Sequence, residues 1–411
     1  MTKTLLFAAC LASLGLGFAD PASAGTVGFS SLPLPDHAVL ERVVLVARHG
    51  IRSPTHGPEA LEKETGVVWP AWPVAPGQLT EHGRVTLGRM MQDIALHYDL
   101  ACARHQGPCL SKAAPVIWAD SADDRTRQSG QIMAETLVPA QHLMARSLSP
   151  AMHDPLFDAV TPEFIFRNRT ILAAEAASFQ RDDVKARPQS VDQGLRVLQD
   201  LIAPEGCSGG TSPCFSTPLT IGEKKGRAVL EGGPTLAASV AENILLVYVQ
   251  GLENAGPRWA QALAPELLKR ALPVHDYLSD LTRRRGTLVK EKSRLMADVI
   301  DRFLSGESVT LSDGSIVPRE TRFLAFAGHD TTLDALAARY GLGWSFADQP
   351  DRTAPDTTLA FERWRDHAGH ALYRVVIFHQ SLAALRNGGG LDEAHGGAMM
   401  VSVKPAPMPV E

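Results

Sequence analysis

Three short apolar runs, each leading into residues able to do chemistry, constrain this chain more than any other feature. Val43-Val44-Leu45-Val46-Ala47 leads into Arg48-His49-Gly50, Val116-Ile117-Trp118-Ala119 into Asp120, and Phe323-Leu324-Ala325-Phe326-Ala327 into Gly328-His329-Asp330. None alternates apolar with polar, so each reads as a strand buried on both faces, which calls for helices above and below a parallel sheet. In open α/β sheets ligands bind just beyond the carboxyl ends of the strands. The three polar tails are therefore expected to converge, although they run from Arg48 to Asp330 in the sequence. The expected fold class is α/β, with a mainly parallel central sheet flanked by helices.

Apolar residues recurring at three and four predict helices over 79–100, 125–137, 233–252 and 281–304. A further helix is expected over 332–340, with Gly341 placed to end it in a left-handed cap. Segments 359–364 and 371–378 read as paired strands closing the sheet. Helical stretches mixed with Pro- and Gly-rich loops make 151–255 a mainly helical insertion, to which part of 57–110 contributes; 25–150 and 256–411 form the α/β domain around it.

The N-terminus carries Lys3, an apolar stretch over 5–19 and the small triplet Ala22-Ser23-Ala24, the pattern of a secretory signal peptide cut after Ala24. A periplasmic or secreted location follows. Cys102, Cys109, Cys207 and Cys214 then remain as two close pairs. In an oxidising compartment each pair can close a small loop, so sequential disulfides are expected. Zinc is the competing reading of four cysteines, but neither pair has CxxC spacing and no histidine cluster accompanies them, so no metal is expected.

Lys and Arg number 40 against 45 Asp and Glu, a net charge of -5 without the basic excess that nucleic-acid binding needs. The one dense basic run, Arg283-Arg284-Arg285, reads as a solvated helix face. Protonating 14 histidines through about pH 6.5 turns the whole chain positive in mild acid, which favours a small anionic substrate. No run of about 20 apolar residues follows the signal peptide, so no membrane partner is expected, and a monomer is.

The first strand end reads Arg48-His49-Gly50-Ile51-Arg52-Ser53-Pro54-Thr55. Two guanidinium groups beside a histidine suppress its protonation and need an anion to balance them. A phosphate supplies that balance: arginine forks match its oxygens in pairs, Gly50 lets backbone come near, and neutral imidazole is a competent nucleophile toward phosphorus. A poor alkoxide leaving group needs a proton, which the Asp330 carboxyl can deliver. Its place at a helix start lowers its proton affinity and a bound phosphate raises it, which predicts an acidic optimum. Arg125, a cation at a helix start where cations are mildly unfavourable, is expected to have a task as a phosphate ligand.

RHGxRxP followed late in the chain by His-Asp resembles the histidine acid phosphatases, and within them the bacterial periplasmic phytases and glucose-1-phosphatases. Similar stretches include 69–83, 119–130, 154–157, 327–333 and 361–364, covering most of the mature chain. The resemblance implies a phosphoglycerate-mutase-like α/β domain with an inserted helical domain and hydrolysis of phosphate esters without a cofactor. It implies His49 as nucleophile, Arg48, Arg52 and Arg125 as phosphate ligands, His329 beside the phosphate, Asp330 as proton donor and Thr55 on the substrate side. Thr332 stands where those relatives usually have Asn, Cys102 replaces a disulfide partner placed later than Cys109, and His56-Gly57 follow Thr55 where longer polar side chains could meet extra phosphates. His82, His275 and Glu242 are given no role and are expected in core or surface positions. A secreted phosphate-ester binding protein is the competing function, which the intact pair His49 and Asp330 argues against.

Overall fold

The computed structural model describes residues 34, 36–104, 107–208, 213–252, 259, 264–391, 397–402 and 404–405, the last two stretches by their backbone. The expected signal peptide and its cleavage site lie outside the described residues.

Six strands build the central sheet: β1 (Val39–Arg48), β2 (Val116–Ala119), β3 (Phe323–Gly328), β4 (Thr358–Arg365), β5 (Ala371–Gln380) and β6 (Gly397–Ser402). Their order is β6-β5-β4-β1-β3-β2. β1, β3 and β2 run parallel, with Arg48 opposite Gly328 and Ala119 opposite Ala327, so the three polar tails leave the sheet at one level. The expected pair β4 and β5 is antiparallel, as are the β1–β4 and β5–β6 pairings, which makes the sheet mixed. Its parallel half carries the tails.

Because successive strand residues point to opposite faces, the unbroken apolar runs supply two cores at once. Val43, Leu45, Ala47, Ile117, Phe323 and Ala325 face α1 (Glu81–His97) and α2 (Asp124–Leu137). A separate helical cluster brings together α3 (Pro162–Ala186), α4 (Gln189–Ile202), α5 (Gly233–Gln250), α6 (Pro265–Ala271) and α7 (Pro273–Arg283), with Leu61, Val67 and Trp69 packed into it. A hairpin pairing Thr220–Lys224 with Arg227–Glu231 lies between these helices in the chain. After α8 (Thr287–Lys292) come α9 (Arg294–Ser305) and α10 (Asp330–Tyr340), which pack on Val44, Val46, Trp118, Leu324 and Phe326 on the second face of the sheet. Each buried Val, Leu, Ile or Phe side chain among these contributes about 1.5–3 kcal/mol of transfer free energy.

Most helix ends follow the sequence. Thr80 caps α1 by accepting from the Gly83 N–H at 3.0 Å, and Gly341 ends α10 at a φ of 63°. The single helix expected over 281–304 is instead three, α7, α8 and α9. Gly286 takes a φ of 90°, and the Glu175 carboxylate from α3 accepts from the Thr287 N–H at 2.9 Å, starting a new helix there. This break also corrects the reading of the arginine run. Arg283 pairs with Asp330; Arg284 pairs with Asp334 at 2.7 Å and lies over the Trp344 ring; Arg285 pairs with Asp182 at 2.7 Å. Three consecutive cations are tied to three different acids rather than solvated together.

Both expected disulfides are present, Cys102–Cys109 and Cys207–Cys214, with Cα separations of 5.4 and 4.9 Å. Among the described residues no helix is long and apolar enough to cross a membrane.

Candidate active site

At the end of β1 the chain turns sharply, and two glycines make the turn possible. A Cβ on Gly50 would sit 2.7 Å from the Gly83 carbonyl oxygen, and one on Gly83 would sit 2.2 Å from that of Ile51. The turn and the start of α1 therefore pack backbone to backbone, which fixes His49 against a rigid element. Its Nδ1–H donates to the Gly50 carbonyl at 2.9 Å, leaving the lone pair on Nε2. The ring is 1 % exposed. Burial and then the charges of Arg48, His329, Arg125 and Arg52 hold its proton affinity well below the ordinary histidine value. It is a neutral imidazole among cations, as its arginine flanks implied.

Arg48 donates to Glu242 Oε1 at 2.6 Å and to the Thr353 carbonyl, with the buried Asp351 carboxylate 3.6 Å away. Arg52 donates to the same Glu242 oxygen at 3.2 Å and to the Ser53 carbonyl at 3.1 Å. Glu242 thus corrects the expectation of a core or surface position without a role: it joins the two guanidinium groups that flank His49. Burial alone would favour its neutral form, but Arg52 and Arg48 outweigh it and bring the carboxyl down to about 2. The signal was present in the sequence, since Glu242 is the only charged residue in α5.

Arg125 enters from the first turn of α2, donating to Asp123 at 2.7 Å and to the Gly77 carbonyl at 3.4 Å. Gly77, at a φ of 76°, donates its N–H to the Pro54 carbonyl, and Ser53 Oγ donates to the Ala75 carbonyl at 2.6 Å. This knits the Arg52–Thr55 stretch to the loop before α1. Thr55 is exposed at the rim beside Gly77. His56 beyond it is also exposed and lies 3.0 Å from Glu64.

The other two tails complete the group. His329 Nε2 lies 2.9 Å from Asp123 Oδ2, and its Nδ1 lies 3.3 Å from Asp120 Oδ2, so both ring nitrogens face carboxylates. Burial opposes a charged ring, but the hydrogen bonds to Asp120 and Asp123 override it and raise the His329 proton affinity. Asp123 is lowered in turn, chiefly by its hydrogen bond from His329. The His49 and His329 rings meet edge to face, 5.4 Å between centroids. Thr332 Oγ1 accepts from the His329 N–H at 3.3 Å, which lets threonine hold this turn.

Asp330, the first residue of α10, is buried and accepts from Arg283. Burial favours its neutral form, yet Arg283, Arg48, His275 and His329 together hold it well below the usual carboxylate value. Sequence reasoning placed Asp330 at a helix start correctly and missed Arg283. It left His275 without a role; the ring is buried on α7 and its charge acts on both Asp330 and Glu242. His82 is a packing residue whose Nε2 lies 2.7 Å from the Leu385 carbonyl. Beside this group opens a cavity of about 620 Å³, lined by Glu242, Arg283, Lys292 and Thr331 and, from the hairpin, by Lys224 and Arg227.

Residues from Arg48 to Asp330 thus meet at the ends of three parallel strands, as expected. What they form is a cationic pocket around a neutral, nucleophile-ready imidazole, with the Asp330 carboxyl among the groups that surround it. Such an arrangement can hold a phosphoryl dianion and transfer it.

Comparison with known proteins agrees. Residues 39–194 match the family model of the histidine phosphatase superfamily (branch 2). The chain is 28% identical to Phytase AppA of Escherichia coli over 376 residues, covering 85% of this chain and 82% of that protein. It is 22% identical to the Glucose-1-phosphatase of Salmonella typhimurium over 370 residues, covering 86% and 84%. Among solved structures, the Hafnia alvei phytase in complex with tartrate superimposes with a TM-score of 0.74 at 25% identity, covering 90% of this chain and 92% of that one. The phytase of Citrobacter braakii gives the same TM-score at 24% identity.

Proposed function

From its match to the model of branch 2 of the histidine phosphatase superfamily and its similarity to a phytase and a glucose-1-phosphatase, we propose that this chain is a phosphomonoester hydrolase that works through a phosphohistidine on His49, without a metal and with an acidic optimum. The observation that carries the reading is the state of His49: Nδ1–H bound to the Gly50 carbonyl, Nε2 unprotonated, four cationic groups around it.

In the first step the Nε2 lone pair attacks phosphorus and the bond to the ester oxygen breaks. Arg48, Arg52 and Arg125 hold the three non-bridging oxygens, and His329, charged through Asp120 and Asp123, adds a fourth positive group. The departing alkoxide takes its proton from Asp330. In the second step the Asp330 carboxylate accepts a proton from water as the water oxygen attacks phosphorus, the N–P bond breaks, and phosphate leaves from a regenerated neutral His49. Positioning and charge carry such a transfer, because little covalent work remains for the protein. His49 stays neutral well below pH 6.5, so the nucleophile is available in acid, where Asp330 can be protonated.

Phytate is the proposed first substrate, with sugar phosphates second. The cavity beside the site supports this order, because Lys224, Arg227 and Lys292 offer positive charge to phosphates that are not being transferred. Thr55 is placed on the substrate side. The proposed enzyme works as a periplasmic monomer, exported by the segment ending at Ala24.

The test is phosphate release at about pH 4.5 with chelator present, comparing phytate, glucose 1-phosphate and a nitrophenyl phosphate by kcat/KM. Preference for phytate supports the reading. A sugar-phosphate preference overturns the substrate order, and no release with any ester replaces hydrolysis by phosphate-ester binding.

A further inference from the structure

Asp330 is assigned above to give a proton, yet the structure holds it in the form least able to do so. Arg283 Nη1 donates straight to its carboxylate. The pair joins two bodies of the fold, since Arg283 is the last residue of α7 in the helical cluster and Asp330 the first of α10 on the sheet.

The other charges around Asp330 come from every neighbouring element: Arg48 on β1, Arg125 on α2, Glu242 on α5, His275 on α7 and His329 next to it, while Lys292 on α8 donates to Thr331 Oγ1 at 3.2 Å. Arg48 is anchored by Glu242 and Asp351, and Arg125 by Asp123. Arg283 alone of the three arginines bonds Asp330 directly. It is also the most accessible, its side chain 32% exposed and lining the cavity with Lys224, Arg227 and Lys292.

We propose that Arg283 is a substrate-operated latch: it keeps Asp330 ionised while the cavity is empty and is drawn off by a substrate carrying a second anionic group beyond the leaving oxygen. This rests on the hydrolase reading above. A second phosphate in the cavity offers the guanidinium a bidentate partner, in competition with one carboxylate. Once the ion pair opens, Asp330 keeps its buried position and faces the bound phosphoryl dianion, both of which favour the neutral acid. It takes a proton from solvent and passes it to the bridging oxygen as the P–O bond breaks and the Nε2–P bond forms. A substrate with one phosphate leaves the latch shut, so its turnover falls off at lower pH. The residue is a positioning group for the acid and a determinant of specificity.

The test compares wild type, Arg283→Gln and Arg283→Lys by the alkaline limb of the kcat profile, using glycerol 2-phosphate and phytate. With glycerol 2-phosphate, Arg283→Gln moves the limb up by about 1–3 pH units, the displacement a neighbouring arginine imposes on a carboxyl, while Arg283→Lys restores the wild-type position. With phytate, whose phosphates have already opened the latch, Arg283→Gln raises KM and leaves the kcat limb in place. An unmoved limb with glycerol 2-phosphate, or equal movement with both substrates, overturns the proposal. Hydrolysis of nitrophenyl phosphate, which needs no proton donor, reports separately on the hydrolase reading: its loss in wild type sinks that reading, whereas its presence with an unmoved limb sinks only the latch. A measurement on wild type guards against a variant that fails to fold. The carboxyl 13C titration of Asp330 rises further with inositol hexakissulphate than with inorganic sulfate if the latch opens, and equal titrations contradict it.

Discussion

Replacing Glu242 with glutamine separates the electrostatic account of the site from a packing account. Glu242 accepts from Arg48 and Arg52, and its carboxyl falls from 4.5 to about 2. A depressed carboxyl contributes stability above its unfolded value and loses it as pH falls through the folded one. At about 1.4 kcal/mol per decade, the wild-type group contributes on the order of 3 kcal/mol at pH 7 and about half of that at pH 3. Glu242→Gln keeps the shape and removes the charge, so urea denaturation is expected to show a deficit of that size at pH 7 that halves at pH 3. The substitution also leaves two guanidinium groups without their shared counter-ion. Inorganic phosphate is then expected to raise the midpoint of the variant more than that of wild type and to inhibit it at lower concentration. A deficit equal at both pH values, or a phosphate effect no larger than in wild type, refutes the reasoning and leaves Glu242 as a packing residue.

Other expectations follow from the same geometry. Asp330→Asn slows esters with poor leaving groups by about 100-fold or more and nitrophenyl phosphate far less; equal losses, measured as kcat, would point to a structural role. Asp123→Asn removes one carboxylate from His329 and lowers its proton affinity, read by NMR titration of the ring. A histidine raised on folding stabilises below its unfolded value and loses that contribution as pH rises through the folded one, so this variant loses more stability at pH 5 than at pH 8. Gly83→Ala places a methyl 2.2 Å from the Ile51 carbonyl oxygen and costs about 1–3 kcal/mol or more by thermal melting, whereas Gly88→Ala, whose methyl meets side chains at 3.8 Å, is tolerated.

How much of this was legible beforehand depended on whether a feature was local. The three buried strands were readable because an unbroken apolar run of strand length has few other uses, and the convergence of their tails follows from parallel pairing. His49, Arg48 and Arg52 lie within five residues of one another, so their chemistry shows in one short stretch. Glu242 and Arg283 reach the site from the helical cluster, with more than 150 residues between each of them and Arg48. No periodicity reveals that partnership, although a lone acid in the apolar α5 was a clue. The break after Arg283 had one local signal, Gly286, but the restart at Thr287 depends on Glu175, a cap supplied from another helix. The insertion at 151–255 stays a proposal, with α6 and α7 packed into the same helical cluster beyond that boundary.

The central claim, that His49 carries the phosphoryl group, is tested most directly by trapping. Wild type mixed with 32P-labelled substrate and quenched within milliseconds is expected to hold label that is stable in alkali, lost in acid, and found by mass spectrometry on the peptide containing His49. His49→Ala, folded by circular dichroism, is expected to carry none and to release no phosphate. Label on another residue, or turnover that survives in His49→Ala, contradicts the account.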